Sequence, residues 1–363
     1  MAKSEKKKSI PRTILKVFIR ILSVFVILFV LFVAVLTIFE FRPEDTEELN
    51  VTGNSSKTLA TGDSVTVLTW NTGYGALGDN ADFFMDGGTM VNTATLERVE
   101  ENISSIAEEI ATVNPDIVFL QEVDNYATRS HYVDEVSFFA DSNSDKMSSF
   151  AVNFDALFIP YPIPPIGRVK AGVQTLSAYP VESATRLSLP VSFSWPVSTC
   201  NLKRCLNVTR IAIENSDKEL VLVNLHLEAY DSGEGKIAQT KMLKEVLQAE
   251  VDAGNYVIAG GDFNQEFSNT DTSAYPVYDG LWEPGIIDIS EFGDDFTFIT
   301  DSSTPTCRSL DKVYAGADKD SFQYYVIDGF IVSSNLTINS CETQSLDFVN
   351  SDHNPIVLSV TIE

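Results

Sequence analysis

The sequence predicts an α+β fold of sheets packed on each other with helices outside, behind a single N-terminal membrane anchor. Three observations predict it. Ile21–Phe39 is nineteen residues without a charge, and only Ser23 and Thr37 in it are polar. Beyond it, short apolar runs of strand character alternate with amphipathic helical stretches or long loops, with no internal repeat. Polar side chains then gather just past the C-terminal ends of several of those runs.

The anchor comes first. At about 1.5 Å per residue this helix spans roughly 28 Å, close to the hydrocarbon thickness of a bilayer. Lys3, Lys6, Lys7, Lys8, Arg12, Lys16 and Arg20 precede it, whereas Glu40, Glu44, Asp45, Glu47 and Glu48 follow. The positive-inside rule leaves residues 1–20 in the cytoplasm and sends the remainder outside. A buried soluble helix is seldom apolar all round. A cleaved signal peptide would have a shorter apolar region ending in a small-x-small site, and Val35-Leu36-Thr37-Ile38-Phe39 offers none. The expected organisation is a basic segment 1–20, a signal anchor 21–39, a linker 40–62 and one domain 63–363.

Charge divides the same way. The whole chain has 25 Lys+Arg against 51 Asp+Glu, a net −26, yet residues 1–42 hold eight basic and two acidic residues. The acidic body argues against attachment to nucleic acid through a broad basic surface. It does not exclude a nuclease, because a metal site can locally oppose the global field. With 44% apolar residues the body is not a disordered chain. An exported body also suits disulfides. Cys200 and Cys205 flank Asn201–Arg204 as at a stapled hairpin tip, which would leave Cys307 and Cys341 as the other pair; all three connectivities are open, and four free thiols are the alternative. No CxxC is present, which disfavours a zinc ribbon.

Within the body, residues 43–62 lack periodicity and read as a tether. Val65–Trp70 reads as a buried strand. Leu96–Val113 places Val99, Ile103, Ile106, Ile110 and Val113 at helical spacing, and Asn114-Pro115 ends it. Ile117–Leu120, Val173–Ser177, Thr209–Ile213 and Leu220–Leu227 follow as strands, Gly235–Val251 as a helix, and Tyr256–Ala259, Tyr325–Val332 and Ile356–Ile362 as strands. Ala140–Gly172 is the least periodic stretch and reads as a functional loop.

The strand ends carry the chemistry. Val65–Trp70 runs into Asn71, Ile117–Leu120 into Gln121-Glu122, and Leu220–Val223 into Asn224 and His226. Tyr256–Ala259 runs into Gly260-Gly261-Asp262-Phe263-Asn264, Tyr325–Ile327 meets Asp328, and Ser351-Asp352-His353-Asn354-Pro355 precedes the last strand. Each alone has a plain reading as turn chemistry, a surface charge or a structural histidine. Six such coincidences, taking two of the chain's three histidines, point to one cleft.

This set and its order resemble the endonuclease/exonuclease/phosphatase family of metal-dependent phosphoesterases, which includes deoxyribonuclease I, exonuclease III-type repair nucleases, inositol polyphosphate 5-phosphatases and neutral sphingomyelinases. The matching stretches are Thr69-Trp70-Asn71, Gln121-Glu122-Val123-Asp124, Asn224-Leu225-His226-Leu227, Gly261-Asp262-Phe263-Asn264, Asp328-Gly329-Phe330 and Ser351–Pro355. Weaker likeness lies in Gly172–Ser177 and Tyr179-Pro180. The resemblance implies a four-layered α/β/β/α sandwich with its site at one edge.

The residues read physically agree with it. Phosphoester hydrolysis loads negative charge onto phosphoryl oxygens, which a hard divalent cation stabilises. Mg²⁺, with Mn²⁺ as a possible substitute, takes oxygen ligands and needs only one or two carboxylates. Glu122 is the expected principal ligand, supported by Asn71 and, as the resemblance implies, Asp352. Asp262 can accept a proton from the attacking water and Asn264 can donate to phosphate. His353, oriented by Asp328, would bond the scissile phosphate or act as base, and His226 is the second imidazole. The general base is thus Asp262 or His353. Arg129, Asn153, Lys170 and Arg308 are candidates for a further phosphate grip, and His131 is peripheral.

Two other readings compete. Gly73-Tyr74-Gly75-Ala76-Leu77-Gly78 spells GxGxxG after a strand, but the acidic, Gly-rich residues 79–88 do not continue as the helix a dinucleotide site needs. A non-catalytic surface display or adhesion module would keep the fold and lose a catalytic residue, and none of the six positions is lost. Substrates compatible with the set are nucleic acid, a phospholipid head group or an inositol phosphate, taken by a monomer.

Overall fold

The computed structural model describes residues 12–231 and 233–363. The first element is the helix α1 (Arg12–Ile38), whose apolar side chains are largely exposed. Strands β1 (Thr46–Glu48) and β2 (Val51–Thr52) follow, then β3 (Ser64–Asn71), α2 (Leu96–Val113), β4 (Ile117–Asp124), α3 (Glu135–Ser142), β5 (Met147–Ile159), β6 (Gly167–Ser177) and β7 (Ser183–Ser188). The second half holds β8 (Cys205–Ala212), β9 (Glu219–His226), α4 (Glu234–Asp252), β10 (Tyr256–Asp262), β11 (Phe296–Ile299), β12 (Asp328–Ser333), β13 (Leu336–Thr343) and β14 (Ile356–Ile362).

Fourteen strands form two seven-stranded sheets, ordered β13-β14-β3-β4-β6-β5-β2 and β1-β7-β8-β9-β10-β12-β11. Each sheet has a single parallel pair, β3·β4 in the first and β9·β10 in the second, and each pair is joined by a long helix, α2 or α4. Parallel neighbours require such a crossover. All other neighbours in both sheets are antiparallel.

Alternation along the strands builds the layers. Val65, Val67, Ile117, Phe119, Leu220, Leu222, Ile258 and Phe330 point between the sheets. Leu68, Val118 and Leu120 point the other way, under Ile103, Ile106 and Ile110 of α2. Val221, Val223, Leu225, Val257 and Ala259 lie under Leu243 and Leu247 of α4. The central strands are thus apolar on both faces and read as continuous apolar runs. The result is the expected sandwich of two sheets between helices. Thr95 caps α2, its hydroxyl accepting from the Arg98 amide, and Asn114 closes it in a left-handed conformation.

Several local expectations change. Residues 43–62 are not without structure: β1 pairs with β7 and β2 with β5, so this segment stitches the outer edges of both sheets. The aperiodic stretch 140–172 contains β5, a thirteen-residue strand bulged twice against β6. Bulges break the alternation by which a strand is read. Gly73–Gly75 forms a 3-10 turn and α2 begins only at Leu96, which removes the dinucleotide-binding geometry.

The disulfide expectation is also corrected: all four cysteines are free. Cys200 lies in a 3-10 turn and Cys205 opens β8, so residues 201–204 are not a hairpin tip. Their thiols point at the carbonyls of Phe158 and Val152, six positions apart on β5. At about 3.3 Å per residue that separation exceeds disulfide reach. Cys341 sits on β13 opposite Leu358, while Cys307 bridges to His353.

Candidate active site

The two parallel pairs end at the same edge of the sandwich. Asn71 closes β3 beside Gln121 of β4. His226 closes β9, and Asp262 closes β10 directly between His226 and Asp328, its partners across the sheet. Asp352 and His353 come from the loop before β14. All eight of the residues read from the sequence are brought together: Asn71, Glu122, His226, Asp262, Asn264, Asp352 and His353 line one cavity of about 710 Å³, and Asp328 stands behind His353.

Backbone strain aims two of these side chains. On β4, Gln121 and Glu122 lie between the paired residues Leu120 and Val123, which face Gln174 and Gly172. This bulge puts Glu122 at φ 56°, a left-handed conformation costing about 1 kcal/mol or more. The Thr72 hydroxyl holds the bulge at the carbonyls of Gln121 (3.0 Å) and Glu122 (3.1 Å). Gln121 is turned inward to donate to Asn224 Oδ1 at 2.8 Å, while Glu122 faces the cavity. Asn264, at φ 51°, donates through its side chain to Leu227 O at 2.9 Å. Gly261 is required by close approach: at φ 146°, a Cβ there would lie 2.0 Å from Leu225 O.

Hydrogen bonds tie the sheets together at this edge. Asn71 Nδ2 donates to Asp262 Oδ2 at 3.0 Å, and Asn71 Oδ1 accepts from the Gly73 amide. Asp262 Oδ1 accepts from the Asn264 amide at 2.8 Å. Asp262 Oδ2 stands 3.4 Å from His226 Nε2 and 3.8 Å from His353 Nε2. His353 Nδ1 meets Asp328 Oδ2 at 2.8 Å, and its backbone carbonyl accepts from Trp70 Nε1 at 2.9 Å. Thr306 Oγ1 receives the Asp328 amide at 3.2 Å and so fixes the carboxylate behind the imidazole.

The two imidazoles titrate in opposite directions. Burial works against a charge on His353, but the Asp328 carboxylate overrides it and lifts the pKa well above the ordinary histidine value. Burial pushes Asp328 itself up to about 6, which still leaves it ionised at neutral pH. His226 is driven well below its ordinary value by burial and by the nearby Arg204 guanidinium, so it is a neutral imidazole. Across the cavity, burial and the charge of Asp352 push Glu122 up to about 8. Burial raises Asp352 as well. Among the described residues, the Glu122 carboxylate accepts no hydrogen bond. Two converging carboxylates held above their usual range make a site that a cation relieves.

Of the phosphate-grip candidates, Arg129 and Arg308 line the cavity, and Asn153 and Lys170 do not. Arg129 is held by both oxygens of Asp124, at 2.9 and 3.1 Å, and lies over the Tyr74 ring. Sequence reasoning missed Arg204, which donates to the His226 carbonyl at 3.1 Å. Nε of Arg204 and Nε of Arg308 are both buried without a hydrogen-bond partner, although Arg204 Nε stands 3.7 Å from Glu228 Oε2. It also missed Cys307, whose thiol burial keeps neutral, and the Tyr230–Asp86 pair, bonded at 3.0 Å. None of these follows a strand end, so no spacing marks them. His131 bonds Ala94 O at 2.9 Å, away from the cavity lining.

The chain belongs to the endonuclease/exonuclease/phosphatase family, whose model matches residues 68–353. Solved structures share the fold at low identity. An endonuclease/exonuclease/phosphatase protein from Beutenbergia cavernae is 17% identical over 82% of this chain and 72% of its own, with a TM-score of 0.55. One from Bacteroides vulgatus is 15% identical over 83% of this chain and 100% of its own, with a TM-score of 0.52. The human Nocturnin catalytic domain with a bound sulfate anion is 16% identical over 87% and 97%, at 0.50. No curated protein sequence matches this chain. Family and fold together define a phosphoesterase- or nuclease-type hydrolase.

Proposed function

We propose that this protein is a divalent-metal-dependent phosphodiesterase held outside the membrane by α1. The observation that carries the reading is the division of the cavity floor: a buried imidazolium–carboxylate pair, His353 and Asp328, faces Glu122 and Asp352, whose pKa values stay raised by burial despite the nearby Arg129 and Arg308. Glu122 and Asp352, with Asn71, would hold Mg²⁺ or Mn²⁺; an all-oxygen donor set suits a hard cation. When bound, the metal supplies Lewis-acid stabilisation of the phosphoryl oxygens.

The remaining steps belong to side chains of this chain. His353, protonated, donates from Nε2 to a phosphoryl oxygen and is therefore unsuited to be the base. Asp262 Oδ2, lying between both imidazoles, takes the proton of the attacking water as its oxygen bonds to phosphorus. The bond to the leaving oxygen then breaks, and that oxygen is protonated from solvent. Neutral His226 and Asn264 orient the phosphate by hydrogen bonds. The seven basic residues ahead of Ile21 support the orientation with the domain outside.

The full chain in detergent, given a chromogenic phosphodiester and Mg²⁺, is expected to release product, to stop in EDTA and to recover with excess Mg²⁺. The His353→Ala protein should be slower by on the order of 10³. A wild-type protein with no turnover of any phosphodiester, with or without Mg²⁺ or Mn²⁺, would instead be the non-catalytic display module.

A further inference from the structure

The cavity does not end at its polar floor. One wall is α1 itself: Phe29, Phe32, Val33 and Leu36, a stripe at i, i+3, i+4 and i+7, line it. Facing the helix are Phe154, Ile159 and Ile166 of the β5–β6 hairpin, with Phe193 and Val197 of the segment before β8. A wholly aqueous substrate has no use for such a wall. The membrane helix and the phosphoester-handling groups therefore border one continuous space.

The end of α1 is fixed to the domain. Trp195 Nε1 donates to Thr37 Oγ1 at 3.0 Å, and the Ser198 hydroxyl donates to Glu40 Oε1 at 2.9 Å. Buried Lys203 reaches the same oxygen at 3.1 Å. Burial opposes the Glu40 charge, but Lys203 and Arg42 hold its pKa below the usual range. A helix of 27 residues is about 40 Å long, roughly 10 Å more than the hydrocarbon core. With Arg20 at the inner edge of a hydrocarbon core about 30 Å thick, Phe29 to Leu36 lie about 14 to 24 Å along it, within the outer leaflet. Beside it, the hairpin tip and neighbouring loop expose Tyr161, Ile163 (93% exposed), Trp195 (61%) and Val197. Aromatic and aliphatic side chains on a surface adjoining a membrane helix match the interfacial belt.

We infer that the substrate is a membrane lipid phosphodiester that enters sideways from the outer leaflet, its acyl chains along the α1 stripe and its phosphate at His353 and Asp262. The inference rests on the phosphodiesterase reading above. Charge favours a zwitterionic head group: residues 43–363 hold 17 Lys+Arg against 49 Asp+Glu and repel polyanions and anionic lipid alike. Water adds to phosphorus, one P–O ester bond breaks, and an alcohol and a phosphomonoester result.

The test uses the full chain in vesicles containing phosphatidylcholine and sphingomyelin, with Mg²⁺, beside a soluble chromogenic diester and a single-stranded oligonucleotide. Hydrolysis of vesicle lipid is expected to exceed that of the oligonucleotide at least tenfold. Ile163→Asp, at a fully exposed tip outside the cavity, should cut lipid turnover about tenfold and leave the soluble diester unchanged. Val33→Trp, which fills the vestibule, should depress lipid turnover more than diester turnover. Brominated-chain phosphatidylcholine should quench a tryptophan emission that Trp195→Phe removes. Diester or oligonucleotide hydrolysis without lipid hydrolysis, or Ile163→Asp leaving lipid turnover intact, overturns the inference while sparing the phosphodiesterase. No turnover of any substrate overturns the phosphodiesterase reading and this one with it.

Discussion

The two sheets are built alike and end differently. Each has one parallel pair joined by a long helix, and each pair delivers polar residues to the same edge. The first, β3·β4, presents Asn71 and, through a bulge, Glu122, with Asp352 coming from the loop that feeds β14 beside β3. The second, β9·β10, presents His226 and Asp262 in register with Asp328 and needs no bulge. One half concentrates carboxylates that burial keeps raised although Arg129 and Arg308 lie near, while the other concentrates proton-handling groups already paired with one another. The same architecture thus gives a side suited to holding a cation and a side suited to moving a proton. What separates them is which residues lie at the strand ends and whether the backbone is strained to turn them inward.

The largest expected effect breaks the cation side. Glu122→Gln should reduce Mg²⁺-supported diester hydrolysis by on the order of 10³, while the metal-free protein becomes more stable. The sign follows from linkage. A carboxyl raised from 4.5 to about 8 in the folded state binds its proton more tightly there than in the unfolded chain. Its contribution therefore lowers the stability of the metal-free wild type progressively from pH 4.5 to 8, and the loss stays constant above that. Gln removes this loss, so Tm of the metal-free variant at pH 8 should exceed wild type by about 5 °C, and the gap should close near pH 4. Thermal melts across pH in EDTA measure it. A gap that does not change with pH would detach Glu122 from the raised carboxylate pair.

A smaller effect is expected on the proton side. Asp328→Asn keeps a group of the same shape behind His353 but removes the charge that lifts its pKa. If the imidazolium is the active form, activity falls as pH rises through the folded-state pKa, so the descending limb of kcat/KM against pH belongs to His353. The variant should lose activity about tenfold to a hundredfold at pH 8, and that descending limb should move to lower pH. Movement of the ascending limb instead would make His353 the base and Asp262 its auxiliary.

This asymmetry also explains what could be read from the chain. Asn71, Glu122, His226 and Asp262 were legible because buried β-strands are apolar runs and the polar residues that end each run lie at the sheet edge; Asp328, Asp352 and His353 stand at or before the start of a strand and were marked by their motifs instead. The central strands and the long helices were legible for the same reason, down to α2 at Leu96–Val113. Strand β5 was not, because two bulges destroy its period. Arg204 was not, because it stands before a strand and reaches the site by a long side chain, where spacing carries no signal. The free cysteines show the opposite error: a short Cys–Cys spacing says nothing about which way two thiols point. Least legible was that one face of α1 lines the cavity, because the helix is apolar on every side and no periodicity singles that face out.

The smallest expected effect tests how firmly the first sheet holds the imidazole that its loop before β14 passes to Asp328 of the second. Trp70 lies on β3, and its Nε1 donates to the carbonyl of His353 in the buried interior. Trp70→Phe retains an aromatic ring against Ile103 and Leu120 and leaves that carbonyl without this donor. The loss should be about 1–2 kcal/mol of stability, read as a lower urea midpoint. Because the imidazole is still held by Asp328 at 2.8 Å, kcat should fall only a fewfold with KM unchanged. A loss in kcat approaching that of His353→Ala would mean that the first sheet, more than Asp328, positions the imidazole, and the division of labour between the halves would have to be redrawn.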